Sequence, residues 1–167
     1  QSIEDLAIFR TLPNVTVMHP SDEVSTRILT KRLATSTNPS YMRTARNKTP
    51  VLYDDVPEDS IQIGKGIELK NGTDVAIISC GVLVSESLKA AEILAEEGIH
   101  ATVVDMHTIK PLDTDLIDNV AQRCGCIVTA EDHSIIGGLG GAVAEHLSMT
   151  STTPLERVGV KDRFGES

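Results

Sequence analysis

Apolar positions recur along the chain with two different periods, and the change between them outlines the fold. Ser2 followed by Asp5 resembles a capping box, with Asp where Glu or Gln is usual, and Ile3, Leu6 and Ala7 follow at helical spacing. Pro13-Asn14 ends that helix, and Val15–Met18 reads as a short strand. Pro20-Ser21-Asp22-Glu23 predicts a second helix with Ser21 as its cap and two acids at the positive end of its dipole; Val24, Ile28, Leu29 and Leu33 are its apolar stripe. Tyr41-Met42-Arg43 predicts another strand, running into the basic pair Arg43 and Arg46. Between Asp54 and Ser60 the chain becomes polar and contains a proline, which marks the best linker. A domain boundary is expected there, giving units 1–57 and 58–167.

Beyond the linker the alternation is more regular. Ile63–Leu69 is expected as a strand, turned by Asn71-Gly72, and Val75–Cys80 is a continuous apolar run of the kind found in strands covered on both faces. Val84, Leu88, Ala91 and Ala95 then predict a helix closed by Gly98. Ala101–Asp105 reads as a strand, and Pro111 with Asp113 opens a helix through Leu116, Ile117, Val120 and Ala121 that closes at Gly125. Cys126–Ala130 predicts a strand, Gly137–Gly141 precedes a helix to about Leu147, and Leu155–Val160 is a last strand. Strands alternating with helices predict a three-layer α/β/α sandwich with a mostly parallel sheet.

Composition sharpens this picture in three ways. Hydrophobic residues make up 40% of the 167, enough for a core, but the aromatic residues are only Phe9, Tyr41, Tyr53 and Phe164, so aliphatic side chains must fill it. Fifteen Lys and Arg against 24 Asp and Glu leave a net charge of −9, a field that disfavours nucleic acid and anionic membrane surfaces. No apolar run approaches the ~20 residues that a spanning helix needs. Cys80, Cys124 and Cys126 are a sparse, odd set of the kind kept reduced in the cytoplasm. The chain begins at Gln1 rather than Met and stops at the turn-like Gly165-Glu166-Ser167, so a piece of a longer polypeptide is expected.

Three constellations are candidates for chemistry. Gly137-Gly138-Leu139-Gly140-Gly141 precedes a helix and could present free N–H groups to a phosphate. The dinucleotide fingerprint is not met, however, because its third position falls on Val143, and a tight turn between helix and sheet is the favoured reading. Asp132-His133-Ser134 has the residue types of a hydrolytic triad, but consecutive residues do not align as one and there is no G-x-S-x-G elbow. His19, His100, His107 and His146 are scattered, with no facing acids to suggest a metal site. Arg43 and Arg46 stand out in an acidic chain: a planar guanidinium suits bidentate binding of phosphate or carboxylate, and ligands of such sheets sit at strand carboxyl ends. Salt bridges are the competing reading for both.

Several longer segments resemble the transketolase family. Gln1-Ser-Ile-Glu-Asp-Leu-Ala7, Phe9-Arg-Thr-Leu-Pro-Asn14, Pro20-Ser-Asp22 and Tyr41-Met-Arg-Thr-Ala-Arg46 are similar to the late part of its pyrimidine-binding domain. Ile63-Gly-Lys-Gly66, Thr108-Ile-Lys-Pro-Leu-Asp113, Glu131-Asp-His133, Gly137-Gly138 and Val160-Lys-Asp-Arg-Phe-Gly-Glu-Ser167 are similar to its C-terminal domain. The resemblance implies the C-terminal portion of a split enzyme that moves a two-carbon ketol unit between sugar phosphates with thiamine diphosphate and magnesium. It further implies an N-terminal partner subunit and a homo-oligomer. The glutamate that activates the cofactor is expected upstream of Gln1, so the chain alone is expected to be inactive, with neither cofactor nor metal bound to it. The family's sugar-phosphate arginine falls on Arg46, whereas Arg43 matches a more variable position for which a salt bridge is favoured.

For the C-terminal domain, structural and subunit-contact work is expected, with Lys110, Glu131, Asp132 and His133 as interface or turn residues. Displaced or partner-borrowed packing is expected for residues 1–57. Related readings are a 1-deoxyxylulose-5-phosphate synthase, which usually carries Arg-Tyr-Pro-Arg-Gly where this chain has Arg43-Thr-Ala-Arg46-Asn47, or a 2-oxoacid dehydrogenase β subunit. A non-catalytic assembly domain is the alternative from another class.

Overall fold

A computed structural model of the chain describes residues 2–46 and 48–165. Gln1, Asn47 and the end of the turn expected at Gly165-Glu166-Ser167 lie outside the described residues. The elements are α1 (Asp5–Arg10), β1 (Thr16–Met18), α2 (Glu23–Ala34), β2 (Ser40–Met42), β3 (Ile67–Lys70), β4 (Val75–Ser79), α3 (Leu83–Glu96), β5 (Ala101–Asp105), β6 (Thr108–Lys110), α4 (Thr114–Cys124), β7 (Ile127–Ser134), α5 (Leu139–Thr150) and β8 (Leu155–Val160). A single 3-10 turn covers Glu58–Ser60. No described helix is long and apolar enough to cross a membrane.

The main sheet has the order β3-β5-β4-β7-β8. Only the edge strand β3 runs antiparallel; β4 is parallel to both β5 and β7, and β7 is parallel to β8. Alternation along β4 builds two cores. Ile77 joins Val103 and Ala91 under α3, while Ala76 and Ile78 join Val104, Ile117, Val120 and Val143 under α4 and α5. Each buried Val or Ile among them contributes about 1.5–3 kcal/mol, so aliphatic side chains carry both cores, with Phe9 and Tyr41 packed against the second.

The first segment packs into this body rather than beside it. Leu6, Val15 and Val17 belong to the same apolar cluster as Ile78, Ile109 and Leu139. β1 pairs in parallel with β2 and antiparallel with β6, which comes from the second half of the chain. The packing expected to be borrowed from a partner is thus supplied in part from within the chain. A second cluster of Met18, Ile28, Leu29, Tyr53 and Ile61 seals the stretch around the expected linker, where Tyr53 and Ile61 are fully buried.

Several local expectations need correction. The α1 cap position is Glu4, without a side-chain cap bond; Ser2 forms a turn with it, its hydroxyl donating to Glu4 Oε2 at 2.9 Å. For α2 the cap is Asp22, the residue with extended backbone, whose carboxylate accepts from Ser25 N at 2.7 Å while Ser25 Oγ accepts from Asp22 N at 3.1 Å. β3 begins at Ile67 because Lys65 N donates to Gln62 O and turns the preceding residues. β7 continues past Ala130 to Ser134, since β8 resumes pairing at Ser134 and Val160 after an irregularity. Glu131, Asp132 and His133 are therefore strand residues, not turn residues. β6 was not expected, because three residues carry no readable period and its partner strand is about 90 positions away.

Candidate functional site

The ladder between β1 and β2 ends with Arg43 N donating to Met18 O at 2.9 Å, after which the chain leaves the sheet. Arg43 and Arg46 then separate. Arg43 turns inward, its side chain only 18% exposed, and Nη2 donates to the Asp132 carbonyl at 3.2 Å and to its Oδ2 at 3.3 Å. Nη1 lies 3.7 Å from Asp5 Oδ1. Arg46 is exposed, and no salt bridge among the described residues engages it. The two arginines border one cleft of about 400 Å³, with Asp5, Tyr41, Val82 and Asp132 on its walls.

These walls are built from groups far apart in sequence. Tyr41 stacks on Phe9 with ring centroids 3.9 Å apart and donates to Asp5 Oδ2 at 2.6 Å. Burial, reinforced by that carboxylate, pushes the Tyr41 hydroxyl up to about 12, so it stays a donor. His19 is buried behind Asp132, with Nδ1 3.6 Å from Asp132 Oδ1 and 3.8 Å from Cys80 Sγ. Burial, then the Arg43 charge, lowers its pKa to about 3, so the imidazole is neutral. Gly81 lies flat on that ring with φ +57°, and a Cβ there would overlap the imidazole. Asp132 is itself pulled two ways: burial raises its pKa and Arg43 lowers it.

The glycine-rich turn is closed to phosphate. Glu131 occupies the start of α5, accepting from Leu139 N at 2.7 Å and from Gly140 N at 2.9 Å. Gly138 is required there because a Cβ would overlap that carboxylate. No hydrolytic triad forms from the neighbouring residues either. Asp132 faces Arg43, while His133 is fully buried, 3.6 Å from Glu131, accepting from Ala7 N at Nε2 and donating from Nδ1 to its neighbour's carbonyl, Ser134 O. Histidines expected to lack facing acids in fact have them: His19 faces Asp132, and His146 lies 2.7 Å from Asp118. Still, no described group of three His, Cys, Asp or Glu side chains could hold a metal ion. Among the described residues, then, the glycine-rich turn offers no free N–H groups to a diphosphate at Leu139 and Gly140.

Lys110, Asp132 and His133 bond the first segment across a seam inside the chain, whereas Glu131 stays within the second half, at the start of α5. Lys110 Nζ donates to Arg10 O at 2.9 Å and Leu12 O at 2.5 Å, and His133 receives Ala7 N. A second buried group lies on the far side of the Arg46 segment. Asp105, at the end of β5, accepts from Ser21 Oγ at 2.5 Å and Tyr53 OH at 2.7 Å. Its complete burial raises the carboxyl to about 7 against the two donors, which pull it down. Asp22 Oδ2 accepts from Leu52 N at 2.8 Å and Tyr53 N at 3.2 Å. Sequence spacing reveals none of these partnerships. The only available signal was an acid closing the apolar run Thr102-Val103-Val104 at a strand's carboxyl end.

Residues 64–167 match the family described as transketolase, C-terminal domain, and residues 1–51 match transketolase, pyrimidine binding domain. The provisionally named transketolase C-terminal section of Methanocaldococcus jannaschii is 44% identical over 168 residues, covering 100% of this chain and 52% of its own length. A 1-deoxy-D-xylulose-5-phosphate synthase of Trichormus variabilis is 41% identical over 165 residues, covering 97% of this chain and 26% of its own. A solved structure described as a split gene transketolase, inactive β4 tetramer, superposes with a TM-score of 0.94 at 45% identity, covering 99% of this chain and 55% of that one. The chain thus spans about half the length of the first curated relative.

Proposed function

This chain belongs to the transketolase family, and from that premise we propose that it is the C-terminal part of a split transketolase. Residues 1–57 act as the tail of a pyrimidine-binding domain and 58–167 as the C-terminal domain. With an N-terminal subunit, in an oligomer, the complete enzyme moves a two-carbon ketol unit from a ketose phosphate to an aldose phosphate. Thiamine diphosphate with magnesium supplies the carbanion chemistry there, held by polypeptide outside this chain. What this chain contributes is a grip on the anionic end of the sugar.

The observation that carries this reading is the contrast between the two arginines. Arg43 is committed to Asp132 and Asp5, whereas Arg46 is exposed beside the cleft with its donors unclaimed among the described residues. Its guanidinium donates two parallel N–H bonds to phosphate oxygens and orients the substrate. In the reconstituted enzyme, Arg46→Ala removes charge-assisted bonds worth about 1.5–3 kcal/mol. That is a loss of roughly ten- to 150-fold in affinity for a phosphorylated acceptor. Unphosphorylated acceptors keep their kinetics; an equal loss with both classes rejects the role.

The similarity to a 1-deoxyxylulose-5-phosphate synthase favours a second reading, in which the same arginine serves a pyruvate-consuming enzyme. The segment Arg43-Thr-Ala-Arg46, lacking the Tyr-Pro usual in that enzyme, argues against it. Release of carbon dioxide from pyruvate in the presence of an aldose phosphate, with no ketol transfer between sugar phosphates, establishes the synthase instead.

A further inference from the structure

We propose that the second half of the chain positions Arg46 by holding its loop at both ends: Asp132 acts through Arg43, and Asp105 acts through Tyr53. This rests on the phosphate-binding role of Arg46. No hydrogen bond among the described residues holds residues 44–46 and 48–51 to the rest of the chain, so their placement is set by what fixes the flanks. On one flank the Arg43 side chain lies between Asp5 and Asp132, the latter on β7. On the other, Leu52 N and Tyr53 N donate to Asp22, and the Tyr53 hydroxyl donates to Asp105 at the end of β5. Ser21, the residue before Asp22, donates to the same Asp105 oxygen. Each flank is thus fastened to an aspartate on an interior strand of the main sheet.

The chemistry of these contacts fits positioning better than stabilisation. A buried ion pair contributes little net stability because desolvation offsets its attraction. Here the compensation is incomplete: Asp132 Oδ1, Arg43 Nη1, Asp5 Oδ1 and Asp105 Oδ1 are all buried without a hydrogen-bond partner. What these groups do fix is geometry. An ångström of displacement in a substrate-positioning group can cost about a hundredfold in rate. Arg43, Asp132 and Tyr53 touch no reacting atom and are positioning residues for Arg46. On this reading the C-terminal domain, besides packing, sets the place of the phosphate grip.

The test uses the complete enzyme, reconstituted from this chain, its N-terminal partner, thiamine diphosphate and magnesium. Asp132→Ala and Tyr53→Phe are each made alone and together with Arg46→Ala. Each anchor variant is expected to raise KM for a phosphorylated acceptor about tenfold or more, and by a clearly larger factor than for an unphosphorylated acceptor. Combined with Arg46→Ala, neither adds a further loss. Amide hydrogen exchange at the flanks, where Arg43 N donates to Met18 O and Leu52 N and Tyr53 N donate to Asp22, is expected to accelerate at the flank whose anchor is removed and to stay as it was in Arg46→Ala. If Asp132→Ala does not fold, Asp132→Asn keeps the shape, removes the charge and gives the same readouts. Unchanged exchange in both anchor variants, or losses that add to that of Arg46→Ala, overturns the positioning role. Arg46→Ala with undiminished affinity for the phosphorylated acceptor overturns the binding role instead, and the exchange data tell the two failures apart.

Discussion

Replacing Asp105 by Asn removes an ionisable group from the interior yet keeps an oxygen where Ser21 and Tyr53 donate. Full burial pushes the folded carboxyl up to about 7, above the ordinary aspartate value of 3.8. An acid whose folded pKa lies above its unfolded one costs nothing while both states hold the proton. The cost grows as pH rises between the two values and is constant beyond the higher one. At about 1.36 kcal/mol per pH unit, the whole gap penalises the ionised native state by on the order of 4 kcal/mol. Urea denaturation between about pH 5.5 and 8.5 samples roughly half of that, so wild type should lose about 2 kcal/mol relative to Asp105→Asn across the window. His19 and His107 work in the opposite sense. Burial lowers them to about 3 and about 4, so their contribution is present above pH 6.5 and is lost as pH falls. They are common to both proteins and cancel in the difference, as do constant packing effects of the amide. Identical pH dependence in the two proteins would refute a protonated Asp105 and the tight seal at the end of β5.

Further outcomes follow from the packing around the cleft. Gly81→Ala combines a left-handed backbone with a methyl group driven into the His19 ring, and should cost at least about 3 kcal/mol in urea denaturation; a loss below about 0.5 kcal/mol would contradict the packing. Glu131→Ala orphans Leu139 N and Gly140 N, each costing about 1–3 kcal/mol, and amide exchange should accelerate first in the opening turn of α5; protection there equal to wild type would show that another group caps the helix. Arg43→Ala leaves Asp132 and Asp5 without their cation, so the Asp132 carboxyl should rise further and the His19 imidazole, freed of a neighbouring charge, should also rise. Carboxyl and imidazole titrations followed by NMR check both directions.

Much of the main body was legible without coordinates, because strand and helix periods are local properties of the chain. The run Val75–Cys80, the stripe of Val84 and Ala91, and the span from Asp113 to Gly125 each carried their own signal, and each became the expected element with its ends within a residue or so. The anomaly of two arginines in an acidic chain was also visible, and the family resemblance singled out Arg46. Tertiary structure alone decided the rest. It separated Arg43 from Arg46, because only folding brings Asp132 within reach of one of them. It closed the glycine turn to phosphate by laying the Glu131 carboxylate across the N–H groups of α5. It made β6 a strand by giving β1 as partner, and joined Ser21, Tyr53 and Asp105 into one buried group. The physical reason is common to all of these. Periodicity reports which face of an element is buried, whereas ion pairs, caps on distant carboxylates and sheet pairing depend on which elements meet, and that is settled only when the whole chain packs.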